Sequence, residues 1–325
     1  MSGHSWNADA RCVLLSGGIG GAKLALGLAG VMQPANLTIV VNTGDDFEHL
    51  GLSISPDLDT LMYTLAGIVN PDTGWGRRDE SWEFMQALGE LGGDTWFRLG
   101  DRDLATHFER SRRLRAGQSL TMITRELCAL HRVIPRLLPM SDGKVRTRLL
   151  TDQGELAFQD YFVRRRAEPV VREIRYDGAA QAAAPAEILA ALRDPQLGAV
   201  IIAPSNPWLS IGPIVAVPAL RVALRQAAAP VVAVSPIVGG RAIKGPTAKL
   251  MVELGLPVSA AAVARHYGEL LDGFIVDQQD VSLTAEIRRA GPAVAATQTV
   301  MASMQDKASL ARFTLDFATL LAADP

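Results

Sequence analysis

The tightest constraint in this chain is an apolar strand pattern that runs straight into glycines. Residues 12–15 (Cys-Val-Leu-Leu) are followed at once by Ser16, Gly17, Gly18, Ile19, Gly20, Gly21, Ala22 and Lys23. An amphipathic run then covers 24–31. The order is strand, glycine turn, helix. Glycines let the backbone approach a ligand and aim its N–H groups at it, and a helix N-terminus behind them favours an anion, usually phosphate. Lys23 adds a point charge. Neither common fingerprint is matched. A dinucleotide loop needs glycine where Lys23 stands, and a P-loop needs glycine and a hydroxyl where Ala22 and Leu24 stand. Two readings stay open: a phosphate-binding loop of a third kind, and a tight turn before a helix.

Buried-strand texture recurs at 37–41, 199–203, 231–234 and 274–276, with a weaker copy at 293–296. Helical patterns are read at 60–69, 80–91, 104–114, 118–129, 211–227, 247–254 and 308–323. Strands that alternate with helices predict an α/β fold, Rossmann-like, with a mainly parallel sheet covered on both faces. Alternating antiparallel strands are read at 144–150 and 155–164. The stretch 168–186 is weakly patterned. Residues 136–190 therefore read as a smaller inserted subdomain, with 1–135 and 191–325 forming the core. In such a sheet, ligands bind at the carboxyl ends of the strands. Four polar turns would meet there: the glycine loop, Asp45-Asp46, Pro204-Ser205-Asn206-Pro207 and residues 235–240.

Bulk properties narrow the class. A 48% hydrophobic, 20% charged chain can bury a sizeable core, and a net charge of -2 gives no nucleic-acid surface. The basic run 110–115 reads as a solvated helix face. Two cysteines without a C-x-x-C pair give neither a disulfide framework nor a zinc site. No apolar run reaches membrane-spanning length and the N-terminus has no apolar signal core, so a cytoplasmic protein is expected.

Several motifs together resemble the 2-phospho-L-lactate transferases of coenzyme F420 biosynthesis. They are SGGIGGAKL (16–24), VVNTGDD (40–46), SISPDLDT (53–60), RLGDRDLATH (98–107), LLPMSD (137–142), FQDYFV (158–163), APSNPWLSIGPI (203–214), VAVSPIVGG (232–240) and GPTAKLM (245–251). The resemblance implies transfer of a phospho-three-carbon-acid unit from a guanosine diphosphate-linked donor to the ribityl hydroxyl of the deazaflavin Fo. GMP leaves, and magnesium is required. It also suggests a homodimer. A related nucleotide-sugar-binding regulator is the alternative; it would carry a DDGGSSG-like turn where this chain has DDFEHLG. A dehydrogenase is disfavoured by the missing third glycine.

Magnesium prefers one or two carboxylates plus phosphate oxygens. Asp57 and Asp59 are expected as catalytic residues, and with Asp46 as metal ligands. For each of the pair a plain role at a helix start remains open. The resemblance places Asp59 and Arg98 against Fo. Trp75, Trp82 and Trp96 are stacking candidates or packing. Asp101, Arg102 and Asp103 are contacts or a structural ion network, and His107 is a base or a helix residue. For the nucleotide the candidates are Gly18, Gly20, Gly21, Lys23, Ser205, Asn206, Pro207, Lys244, Gly245 and Thr247. Lys249 is either a phosphate contact or a solvated helix residue.

Overall fold

A computed structural model describes residues 5–323. Seven strands form the main sheet: β1 (Arg11–Ser16), β2 (Leu37–Val41), β3 (Arg136–Pro139), β4 (Leu197–Ile202), β5 (Val231–Val234), β6 (Gly273–Asp277) and β7 (Ala293–Thr297). Their order is β7-β6-β5-β4-β1-β2-β3, and every pairing is parallel. The chain winds outward from β1 to β3, returns to β4, and winds out the other way. The reversal between β1 and β4 is the crevice where such sheets take ligands. Period-two alternation explains the two-sided core. Val13, Leu15, Val40 and Ile202 face one layer, while Cys12, Leu14, Ile39 and Ile201 face the other.

Helix α1 (Gly18–Val31) opens within the glycine loop itself, six residues before the apolar pattern begins. It packs against α2 (Pro56–Leu65) and the terminal helix Met304–Ala323. A Cβ at Gly27 would lie 2.2 Å from the Lys307 carbonyl oxygen, so only glycine permits this crossing. Helices α3 (Glu83–Glu90), α4 (Asp101–Arg115) and α5 (Leu120–Leu130) follow α2. The helix expected over 211–227 is broken. Gly212–Ala216 and Pro218–Arg225 meet at 90° because Pro218 cannot continue the first helix.

Residues 136–139, read as the start of the insertion, are edge strand β3 of the main sheet. The small antiparallel sheet comprises Arg146–Thr151, Gly154–Ala157 and Val171–Asp177, with the first in the middle. Two details differ from the sequence reading. The strand expected over 155–164 ends at Ala157, and Asp160–Arg164 forms a wide helical turn. Phe158 and Tyr161 are both buried, and a helical turn sends residues three apart to one side, as a strand cannot. Val171–Asp177 escaped notice because it buries little beyond Val171. The small sheet is tied to the crevice: the Thr147 N–H donates to the Gly44 carbonyl at 2.8 Å, and the Tyr176 hydroxyl to the Trp208 carbonyl at 2.6 Å. Among the described residues no single helix is long and apolar enough to cross a membrane.

Gly27→Ala is expected to lower unfolding free energy by about 1–3 kcal/mol through overpacking. Gly30→Ala, on the same helix with nothing within 4 Å of the added Cβ, should be neutral or stabilising by up to about 1 kcal/mol. Urea unfolding of both checks this; equal effects would remove the Lys307 contact as the cause.

Candidate active site

The glycine loop is shaped first by the protein's own polar atoms. A Cβ at Gly17 would lie 2.5 Å from Asp57 Oδ2, at Gly20 2.7 Å from the Pro204 carbonyl oxygen, and at Gly21 2.0 Å from Ser16 Oγ. Gly18 has a positive φ of 62° and its N–H donates to Asp57 Oδ1 at 2.8 Å. The anion at the N-terminus of α1 is thus the Asp57 carboxylate. Asn42 Nδ2 donates to the other Asp57 oxygen at 3.0 Å. Asp57 and Ser55 do not cap α2 with their side chains; Ser55 instead donates its hydroxyl to Asp46 Oδ2 at 2.8 Å.

Ser205 and Asn206 work inside the protein. Ser205 Oγ donates to the Gly17 carbonyl at 2.6 Å and accepts from the Gly17 N–H at 3.2 Å. Asn206 Oδ1 accepts from the Trp208 and Leu209 N–H groups at 2.9 and 3.0 Å, and its amide donates to Thr247 Oγ1 at 3.0 Å. Pro207 and Thr247 are buried beside it. Lys23 donates to the Met301 carbonyl at 2.8 Å. Its pKa is lowered by burial and by the nearby charges of Lys244 and Lys307. Lys244 and Gly245 sit on an exposed turn ahead of Thr247–Glu253. Lys249 is held by Glu253 and by the Pro169 carbonyl.

Four buried aspartates stand at this edge: Asp45, Asp46, Asp57 and Asp59. Burial pushes Asp46 up to about 7, against the opposing pull of Arg146 and the Ser55 hydroxyl. Burial pushes Asp57 up to about 6, against its bonds from Asn42 and Gly18. Asp45 is raised well above the usual range by burial and by the Asp57 charge. Asp45 Oδ1 and Asp46 Oδ1 are buried without a hydrogen-bond partner. Both residues line a cavity of about 210 Å³ between the 44–48 turn and the small sheet.

Asp59 has a different setting. Arg110 of α4 grips it with both terminal nitrogens, Nη1 at 3.0 Å. Arg110 is fully buried; burial opposes its charge and the Asp59 carboxylate overrides this, so its pKa is raised. His107 Nδ1 lies 3.3 Å from Arg110 Nη1, and its Nε2 lies 3.4 Å from Asp103 Oδ1. Asp103 also accepts from the Tyr63 hydroxyl at 2.6 Å. Asp59, Asp103 and His107 present atoms within 4.8 Å of one another. The guanidinium already neutralises Asp59, which makes this cluster a poor cation site.

Each residue of the expected metal set has a partner within the protein. Asp46 turns to Ser55, Asp57 to α1, and Asp59 to Arg110. Arg98 is exposed and stacks on Trp82, 4.2 Å from the ring centroid. Trp96 packs with Phe47, His49 and Phe97, and Trp75 is 47% exposed. Asp101 caps α3 by accepting from Ser81, Glu83 and Phe84, while Glu80 accepts from the Arg102 and Asp103 N–H groups at the start of α4. The sequence reading missed Arg110 and took its run for a solvated face. The signal was present: Asp103, Thr106, His107, Arg110 and Arg113 recur at helical spacing and share one side of α4.

Arg110→Ala is expected to cost about 3–5 kcal/mol, because it strands a buried carboxylate. A loss below ~1 kcal/mol in urea unfolding would place the pair in the solvent-exposed class. The raised aspartates set a pH trend. In the native state they bind protons up to about pH 6 and 7, whereas unfolded aspartates release them near 4. The native state thus holds more protons in that window, and stability falls as pH rises from about 4 to about 7. Unfolding in chelator across this range should show the decline, and Asp46→Asn should flatten it; a wild-type profile that climbs would contradict this.

The family model described as 2-phospho-L-lactate transferase CofD matches residues 12–309. The chain is 43% identical over 314 residues to a phosphoenolpyruvate transferase of Streptomyces griseus, covering 95% of this chain and 98% of that protein. It is 42% identical over 295 residues to the phosphoenolpyruvate transferase of Mycobacterium tuberculosis, covering 83% and 88%. A solved UPF0052-family protein from Bacillus halodurans shares the fold, with a TM-score of 0.64 at 14% identity over 94% of this chain and 98% of that one. Matched from its first strand to its terminal helix, the chain belongs to the CofD 2-phospho-L-lactate transferase family.

Proposed function

We propose that this transferase moves a phosphoenolpyruvyl unit from a guanosine diphosphate-linked donor to the terminal ribityl hydroxyl of the deazaflavin Fo, with GMP leaving. The observation that carries the reading is the trio of buried, charge-strained carboxylates, Asp45, Asp46 and Asp57, at the carboxyl edge of the sheet. The three-carbon acid follows from the names of the relatives. Family members transfer a phospho-acid unit, and such chemistry needs neutralised phosphate charge and an aligned hydroxyl.

Magnesium fits these residues. Two buried carboxylate oxygens lack partners, and three acids carry raised pKa values that a cation would relieve. Asp45 and Asp46 would hold it, with Asp57 beside them; Asp59 is reassigned to support because Arg110 holds it. When bound, magnesium would neutralise phosphate oxygens. The rest is done by the chain. Asp57, poised near neutrality and fixed by Gly18 and Asn42, takes the proton of the attacking hydroxyl. Lys23 and Lys244, close enough to depress Lys23, attract the donor's phosphates at the α1 side. Arg98 and the tryptophan platform it stacks on receive the deazaflavin ring.

The test is turnover. Purified protein is given Fo, magnesium, GTP and one of phosphoenolpyruvate, 2-phospholactate or 3-phosphoglycerate, with the guanylyltransferase that makes the donor, and Fo is followed by mass. Phosphoenolpyruvate should give the largest mass gain. Asp57→Asn should cut kcat about 10²–10⁴-fold with little change in donor binding. No gain with any acid, while guanosine diphosphate still binds, would reject the transferase reading.

A further inference from the structure

We infer that the cavity beneath the small sheet is the subsite for the three-carbon acid, and that Arg146 is the residue that recognises its carboxylate. This rests on the transferase reading above. The cavity is about 210 Å³, below the roughly 300–1,000 Å³ of sites for drug-sized ligands. It suits a three-carbon phospho-acid.

Its walls divide by chemistry. Asp45 and Asp46 form one side, Phe47 and Phe158 supply apolar surface, and Lys144, Arg146 and Arg148 supply positive charge. Two of these cations are already paired, Lys144 with Glu48 at 3.2 Å and Arg148 with Asp177 at 3.4 Å. Arg146 has no carboxylate within 4 Å among the described ion pairs. Its guanidinium is instead held by main chain, with Nη1 donating to the Val145 carbonyl at 2.7 Å and the Thr43 carbonyl at 3.4 Å. A half-buried guanidinium, fixed by carbonyls and with N–H groups left over, matches a carboxylate's two oxygens.

The location fits the parent site. Arg146 begins the central strand of the small sheet, and the next residue, Thr147, bonds to Gly44 beside the acid pair. A Cβ at Gly44 would fall 2.6 Å from Thr147 Oγ1, so glycine holds turn and sheet together. The Gln159 amide also donates to the Asp45 carbonyl at 3.2 Å. Asn42, just past the end of β2, bonds to Asp57, which ties the cavity's side of the crevice to the glycine loop. A donor whose reacting phosphate lies at Asp57 would place its acid at Arg146.

The experiment compares wild type, Arg146→Gln, Arg146→Lys and, as a control outside the cavity, Arg112→Gln. Melting temperatures establish folding. Calorimetry measures guanosine diphosphate, then phosphoenolpyruvate or inorganic phosphate added to the guanosine diphosphate-loaded protein, and Fo separately. Phosphoenolpyruvate should bind wild type at least tenfold tighter than inorganic phosphate. Arg146→Gln should abolish that preference, Arg146→Lys should keep part of it, and Arg112→Gln should match wild type, with guanosine diphosphate and Fo affinities unchanged throughout. In turnover, Arg146→Gln should raise the donor KM at least tenfold and leave the Fo KM alone. Equal binding of phosphoenolpyruvate by wild type and Arg146→Gln, no preference over phosphate, or a loss of Fo affinity instead would each overturn the subsite. An inactive wild type that keeps the Arg146-dependent preference would reject the reaction and leave the subsite standing.

Discussion

Much of this site hangs on one contact, the Asp57 carboxylate seated on the N-terminus of the first helix. A buried carboxylate is costly without donors. Here the Gly18 N–H and the Asn42 amide supply them, and the helix dipole adds its positive end. The contact joins α2 to α1 and to the end of β2. It also explains the glycines, since a side chain at Gly17 would collide with the same carboxylate. A loop that looks like a phosphate cradle is thus, in this structure, a cradle for an aspartate, which in turn faces the crevice.

The acids around it are sorted by their partners. Asp59 is neutralised by a buried arginine and becomes part of a network that reaches His107, Asp103 and Tyr63. Such a pair holds α2 against α4 and fixes the helix start on which Asp57 stands. Asp45 and Asp46 are in no ion pair and keep unpartnered oxygens, although the charge of Arg146 pulls on Asp46. One carboxylate is ion-paired and others keep raised pKa values, although all are buried. Environment, not residue type, makes the division.

The small sheet changes what the main sheet can bind. Alone, the carboxyl edge of β1, β2 and β4 is an open crevice. With Arg146–Thr151 laid over the Gly44 turn, it gains a cleft and a guanidinium held by main-chain carbonyls. In the proposed reading the small sheet would add selectivity to the parallel-sheet core, in keeping with function being grafted onto a common fold.

What the sequence determined by itself was the sheet and the edge. Apolar runs such as 37–41 and 231–234 are buried on both faces, so hydrophobicity alone reveals them, and the connecting turns then have to lie at the carboxyl ends. Asp46 and Asp57 could be picked out as site candidates because each stands at such a turn. Their roles could not. Whether a carboxylate meets an arginine, a hydroxyl or a helix N-terminus depends on residues 9 to 51 positions away. Arg110 was hidden among charged neighbours, since only its partner across the α2–α4 packing makes it a buried residue. Arg146 was hidden in an ordinary alternating strand, and the strand Val171–Asp177 in a segment with little to bury. Local pattern encodes which face is apolar; tertiary packing decides which charges meet, because Coulomb and hydrogen-bond energies act through space over a few ångströms and carry no trace in sequence spacing.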